Sequence, residues 1–243
     1  LLTSRLAGQA SLRVVSPGTW GASVQAQGAR VVADRYAKDG TVAPQLVATG
    51  SLRALPGHRT PGFAVGLGPV ARWDVVGGQR LAGHGGALRA RWTSNPGGDG
   101  AQLDGGFEAA FADYAHQEAD TSLRIHTLDG RLAGWLHGAA APWSEAPYWR
   151  LPAAGGGQVL RHGAVGRFRG RSLAAAVLEW RLRPQALLGG SVFLEGARID
   201  GWHGGLGAGL RLRLPPRPHN TVRLDVAWGD GGLGVSAGWG EAF

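Results

Sequence analysis

The sequence predicts an all-β fold: a transmembrane antiparallel β-barrel of about twelve strands, one domain over residues 1–243, with a long extracellular loop folded into the lumen. Three observations predict it. The closing segment Leu233 to Phe243 (LGVSAGWGEAF) alternates, with Leu233, Val235, Ala237 and Trp239 in one row and Gly234, Ser236, Gly238 and Gly240 in the other. A strand facing lipid on one side must show an apolar side chain at every second position, because the residues between point inward. Glu241 interrupts the apolar row just before the terminal Phe243. Composition agrees, since 43 glycines suit crowded, curved strands, and 10 tryptophans against 3 tyrosines suit two interfacial belts. Finally, no run reaches the ~18 to 20 apolar residues of a spanning helix, so membrane residence requires strands closed on themselves.

The segments follow in order. The first sets Leu6, Ala10, Leu12 and Val14 against Arg5, Gln9, Ser11 and Arg13, and Ser16-Pro17-Gly18 ends it. The second carries Trp20, Ala22, Val24 and Ala26 against Ser23, Gln25 and Gln27, and the third Leu46, Ala48, Leu52 and Ala54 against Thr49, Ser51 and Arg53. In the fourth, Phe63, Val65, Leu67, Ala71, Trp73 and Val75 oppose Gly66, Gly68, Arg72 and Asp74. The fifth is weaker, with Leu88, Ala90 and Trp92 facing away from Arg89 and Arg91. Asn95 to Gly100 is a turn on its chemistry, and the sixth strand then sets Leu103, Phe107, Ala109 and Phe111 against Asp104, Gly106 and Glu108. A long seventh segment spans Ser122 to Ala140. The last five are Ala174 to Leu182, Leu188 to Ile199, Gly205 to Leu214, Thr221 to Trp228 and the closing segment, with Arg211, Arg213, Arg223 and Asp225 opposite leucine and valine rows.

An even strand count returns both chain ends to the periplasmic side and puts Pro142 to Arg171, the longest connection, outside. Connections of that length are generally functional in compact folds. A soluble sandwich also alternates, but it explains neither the Leu and Trp rows nor the terminal Phe.

Composition excludes several function classes. No cysteine is present, so disulfides and thiolate metal sites are ruled out, as suits a chain that crosses an oxidising periplasm unfolded. Met is absent even at position 1, so the sequence is expected to begin inside a longer precursor whose signal peptide lies upstream. Lys plus Arg exceed Asp plus Glu by 25 to 17, yet the arginines are spread singly along alternating strands, which argues against a nucleic-acid partner. A basic lumen or an anionic lipid surface accounts for the excess. The eight histidines include no pair with zinc-site spacing, and His84, His137, His162, His203 and His219 read as polar residues near turns or strand ends. No Gly-x-Ser-x-Gly elbow occurs, and Gly155-Gly156-Gly157-Gln158 lacks the Lys-Ser/Thr of a phosphate loop. No catalytic residue, metal or cofactor is therefore predicted, and the chain is not expected to be an enzyme. A barrel phospholipase with Ser and His on its outer wall is the minor alternative.

From about Gly134 to Phe243 four ordered motifs stand out. A Gly-rich stretch leads to Leu160-Arg161-His162-Gly163, then to Gly166-Arg167-Phe168-Arg169; Glu179-Trp180-Arg181 follows on the next strand and Phe193-Leu194-Glu195-Gly196 on the one after. In this order they resemble the C-terminal half of the BamA-type barrel superfamily, also called the bacterial surface antigen family. Members of that family insert or translocate outer-membrane proteins. The resemblance implies that residues 142–171 plug the lumen and that the loop arginine, here Arg161, pairs with acids at Glu179 and Glu195. His162-Gly163 departs from the family's Gly-aromatic pair. The family barrel has sixteen strands preceded by periplasmic domains, and neither is visible here.

Physically, the loop motif reads as an ion-pair anchor. A guanidinium lowered into a lumen is costly unless carboxylates meet it with charge-assisted hydrogen bonds. Glu179 and Glu195 share inward parity on neighbouring strands. The alternative is that each acid pairs with a nearer arginine, namely Arg181, Arg183 or Arg198. The expected role is an outer-membrane insertase or translocator. It would work through a weak seam between first and last strands, thinned by the glycines of Leu233 to Gly240, with outer-membrane lipids and unfolded outer-membrane proteins as partners. A passive pore, or an anchor for an upstream passenger domain, is the second reading, and a homo-oligomer is left open.

Overall fold

The computed structural model describes residues 5–15, 20–36, 42–60, 62–76, 78–95, 99–113, 115–141, 150–155, 157, 159–164, 166–184, 186–214 and 221–239, with side chains from residue 52 onward save 59, 112, 116 and 239. Fifteen strands and no helix occur among these residues. They are β1 (Arg5–Val15), β2 (Trp20–Tyr36), β3 (Val42–Thr60), β4 (Phe63–Val76), β5 (Gln79–Thr93), β6 (Gly100–Ala112), β7 (His116–Thr127), β8 (Leu132–Ala140), β9 (Ala153–Ala154), β10 (Phe168–Arg169), β11 (Ser172–Leu182), β12 (Leu188–Arg198), β13 (Trp202–Arg213), β14 (Thr221–Gly229) and β15 (Gly232–Trp239). Thirteen form one sheet in chain order, and β9 and β10 form a separate ribbon. No β1–β15 pairing occurs among the described residues.

The expected seventh strand is two. Leu128, Asp129 and Gly130 take positive φ values of 55°, 55° and 76°, so the chain reverses between β7 and β8. Asp-Gly is a strong hairpin signal, and the uninterrupted alternation around it hides the reversal. The Asp99 carboxylate accepts hydrogen bonds from the Asp129 and Gly130 amides at 2.8 and 3.0 Å and holds the turn. Among the described residues the sheet therefore has thirteen strands, close to the about twelve expected.

Contacts divide the chain, expected as one domain, into two compact units. Unit 1 holds residues 1–92, 104–120 and 140–151. Its buried apolar cluster is Leu55, Val70, Ala87 and Ala110. Beside these on the buried face, Glu108 accepts from Arg53 at 2.6 Å and from Arg72, and Arg72 also approaches Glu118 at 3.7 Å. Unit 2 holds residues 93–103, 121–139 and 152–243. Its larger buried cluster is Ala139, Ala154, Leu160, Leu173, Ala175, Ala197 and Ile199.

Polarity in unit 2 is inverted relative to a water-soluble protein. Along β11 burial alternates without a break: Leu173, Ala175, Val177, Glu179 and Arg181 are buried, while Leu178, Trp180 and Leu182 are exposed. In β12 to β14 the same period exposes Val192, Leu194, Leu206, Leu210, Leu224, Val226 and Trp228, and buries Glu195, Arg211 and Asp225. Charged residues are almost never fully buried unless paired, and exposed apolar patches this extensive mark a contact surface. The physical question for the site is what pairs the buried charges.

Candidate functional site: the loop hairpin and its charged seat

The loop starts within residues 142–149, which lie outside the described residues. Its described part is not structureless, as its length suggests, but a hairpin. Antiparallel β9 and β10 pair Ala154 with Phe168 and Ala153 with Arg169, and close a tip over residues 155–167. Within the tip, the Gly157 amide bonds Leu160 O at 2.8 Å and the Arg167 amide bonds Ala164 O at 3.1 Å. Gly163 and Gly166 take φ values of 75° and 64°, where a side chain would be strained. Leu160 is fully buried in the apolar cluster, with Phe168 packed against it.

Arg161 points into the buried charges. Its Nη2 donates to Glu179 Oε2 at 2.6 Å, its Nη1 lies 3.6 Å from Asp225 Oδ2, and its guanidinium covers the Phe193 ring at 3.8 Å. Glu179 also accepts from Arg181 at 2.8 Å and from Arg211 at 3.2 Å, while Asp225 accepts from Arg211 at 2.6 Å and Arg223 at 2.8 Å. Four guanidinium groups thus alternate around two carboxylates, and both carboxylates are completely inaccessible. The two sequence-based alternatives for Glu179 coexist, since it meets both the loop arginine and its strand neighbour Arg181.

Glu195 meets the loop at its backbone: it accepts from the backbone amide of Arg161 at 2.8 and 2.9 Å, and from the amide and ring Nδ1 of His162 at 3.0 and 2.6 Å. The carboxylate therefore clamps the turn of backbone itself. His162, read from sequence as a polar edge residue, is fully buried. Its Nε2 lies 3.1 Å from Asp230 Oδ1, and Asp230 Oδ2 is 2.6 Å from His203 Nδ1. Phe168 stacks on His203, with centroids 3.8 Å apart. The residue that departs from the family pattern is thus a main tether of the tip. His162→Ala is expected to lower stability by about 1–3 kcal/mol, read as a shift in thermal unfolding in micelles.

Glycines shape the seat. A Cβ at Gly205 would sit 2.5 Å from His162 Nδ1, one at Gly231 2.9 Å from the same ring, and one at Gly234 would collide with Arg161 O. Gly238 faces the Arg223 side chain in the same way, at 2.7 Å. In the closing strand, Gly234 and Gly238 make room for the loop tip and for Arg223. In the remaining motif, Arg167 donates to Gly231 O at 2.9 Å and its guanidinium lies 5.8 Å from the Phe168 ring. The Trp239 backbone pairs with Val222, and Phe243 lies outside the described residues.

Asp230 sits in the β14–β15 turn. Burial opposes its ionisation, but the bonds from His203, the Gly204 amide and His162 outweigh that and hold its carboxyl below the usual aspartate value. A depressed carboxyl stabilises the fold above its ordinary value and loses that contribution as pH falls through the folded-state value. Acid titration of stability should therefore show an acid limb below the ordinary aspartate range that is shallower in Asp230→Asn.

Arg211, Arg223, Asp225, Asp230 and His203 are not among the site residues that the sequence predicts. The inward parity of Arg211, Arg223 and Asp225 was visible, but their convergence depends on registers such as Gly209 opposite Asp225 and Arg211 opposite Arg223.

No protein-family model and no curated protein matches the chain. Among solved structures, BamA from Haemophilus ducreyi lacking POTRA domains 1-3 matches with a TM-score of 0.65 at 13% identity, over 98% of this chain and 62% of that one. The antiparallel sheet has the fold of the BamA-like barrels. CdiB from Acinetobacter baumannii, a second barrel of this type, matches with a TM-score of 0.58 at 13% identity, over 97% of this chain and 50% of that one. The chain thus spans only about half to three-fifths of the BamA-type structures it matches.

Proposed function

We propose that the chain resides in the bacterial outer membrane and assists other outer-membrane polypeptides into or across it. The observation that carries this is the seated hairpin: an arginine-histidine tip, buried among paired charges, joined to strands whose outward rows are apolar. Such outward rows are stable against hydrocarbon, and the inward charges are tolerable only behind them. The tip lies against Gly234 of β15 and the β14–β15 turn, so its seating is coupled mechanically to the last strand of the sheet. An admitted substrate strand would pair at such an edge, whose backbone donors and acceptors are the natural template. Arg161, Glu195 and His162 set how firmly the last hairpin is held, and hence how readily that edge yields.

The test is insertion of a urea-unfolded barrel client into proteoliposomes. Insertion several-fold faster than into empty vesicles is expected, with Arg161→Ala altering the rate. Background rates in the presence of correctly inserted protein would sink the assisting role and leave the anchor reading.

A further inference from the structure

The outward face of β11 to β14 has an order of its own. Strand register stacks its side chains in transverse rows: Trp180, Val192, Ala208 and Val226; then Leu178, Leu194, Leu206 and Trp228; then Ala176, Gly196 and Gly204; then Ala174, Arg198 and Trp202. Among the described outward positions of β11 to β15, Arg198 is the one ionisable side chain. Its guanidinium lies over the Trp202 ring, 6.0 Å from the centroid, and Trp202 is 80% exposed. No described carboxylate pairs with Arg198.

The row beneath it is a notch. A Cβ on Gly196 or Gly204 would meet only backbone oxygens, at 3.7 and 3.6 Å, which is ordinary contact. Unlike Gly205 or Gly234, these glycines are not required by the chain's own packing, and the notch opens outward. Below it, an apolar trough of about 630 Å³ runs between the rows holding Trp180, Val192, Leu194 and Leu206. At the margin Asp230 follows Gly204, but its carboxyl is occupied by His203, His162 and the Gly204 amide.

A cation over an exposed tryptophan, a gap without side chains, and an apolar trough in line match the three parts of one membrane lipid. We propose that this face holds an anionic, phosphate-bearing lipid. Its phosphate sits on Arg198 beside Trp202, its backbone lies over Ala176, Gly196 and Gly204, and an acyl chain lies in the trough. From Arg198 to Leu194 the strand rises about 13 Å, a reach that fits headgroup above and chain below. The stacked ring orients the guanidinium toward the headgroup zone, where an aromatic side chain is itself favoured. This inference rests on the membrane residence proposed above.

The test uses the full chain in neutral micelles doped with phosphatidylglycerol, phosphatidylcholine or inorganic phosphate, read by thermal unfolding, alongside flotation with vesicles of each lipid. Phosphatidylglycerol is expected to raise the melting temperature well beyond phosphatidylcholine. Arg198→Gln should weaken the phosphatidylglycerol response about fivefold, since one basic side chain at a membrane surface is worth roughly that. Arg198→Lys should retain most of it, and Gly204→Val should reduce it by filling the notch. Equal responses to the two lipids, an equal response to inorganic phosphate, or an undiminished response in Arg198→Gln would overturn the site. Failure to float with either vesicle would overturn membrane residence, and the site with it.

Discussion

Replacing Glu179 with alanine is expected to be the most damaging single change in the charged seat, lowering stability by about 3–5 kcal/mol. The reason is charge balance. Arg161, Arg181 and Arg211 all converge on this one inaccessible carboxylate, and Arg223 shares Asp225 with Arg211. Removing Glu179 takes away the carboxylate on which three of these guanidinium groups converge, at a site where water cannot screen them. Arg161→Ala should cost less, about 2 kcal/mol, because Glu179 keeps Arg181 and Arg211. Thermal unfolding of both variants in micelles, followed by far-ultraviolet circular dichroism, checks the ordering. A larger loss in Arg161→Ala than in Glu179→Ala would mean that the tip, and not the carboxylate, organises the cluster.

The second large effect is expected from Gly234→Ala. The added methyl would meet the carbonyl oxygen of Arg161 and lie 2.9 Å from the His162 Cα, backbone atoms that cannot rotate away. Either the tip lifts from its seat or β15 shifts, at a cost of about 1–3 kcal/mol or more. Limited proteolysis separates the outcomes: a lifted tip should become cleavable at Arg161 or Arg167 while the strands stay protected. Gly134→Ala is the control, because a methyl there meets nothing within 4 Å and should leave cleavage unchanged.

These two predictions show how far the residues alone lead. Inward parity placed Glu179 and Glu195 on one buried face, and the loop motif marked Arg161 as the side chain to meet them. The first pairing is present. At Glu195 the structure adds backbone donation, because the turn at Leu160 to Gly163 presents two successive amides to it while the guanidinium reaches Glu179. A side-chain motif carries no information about which amides a turn will expose. His162 was misread for a related reason: a histidine beside a glycine in a loop looks like a surface residue until the Gly205, Gly229 and Gly231 backbones are seen to leave a space for its ring. The β7–β8 turn was missed because alternation continues on both sides of Asp129-Gly130, and periodicity does not register a reversal that preserves its phase.

What the sequence determines by itself is the period and its polarity. Side chains on a strand alternate by covalent geometry, so a chain writing leucine and tryptophan at one parity and arginine and glutamate at the other already declares two faces with opposite solvents. What only the tertiary structure decides is partnership. Arg161 reaches Glu179 across 18 residues and comes near Asp225 across many more, through strands whose register is set by turns and by glycines elsewhere in the chain. Electrostatic energy depends on distances of a few ångströms, and those distances exist only once the strands have paired.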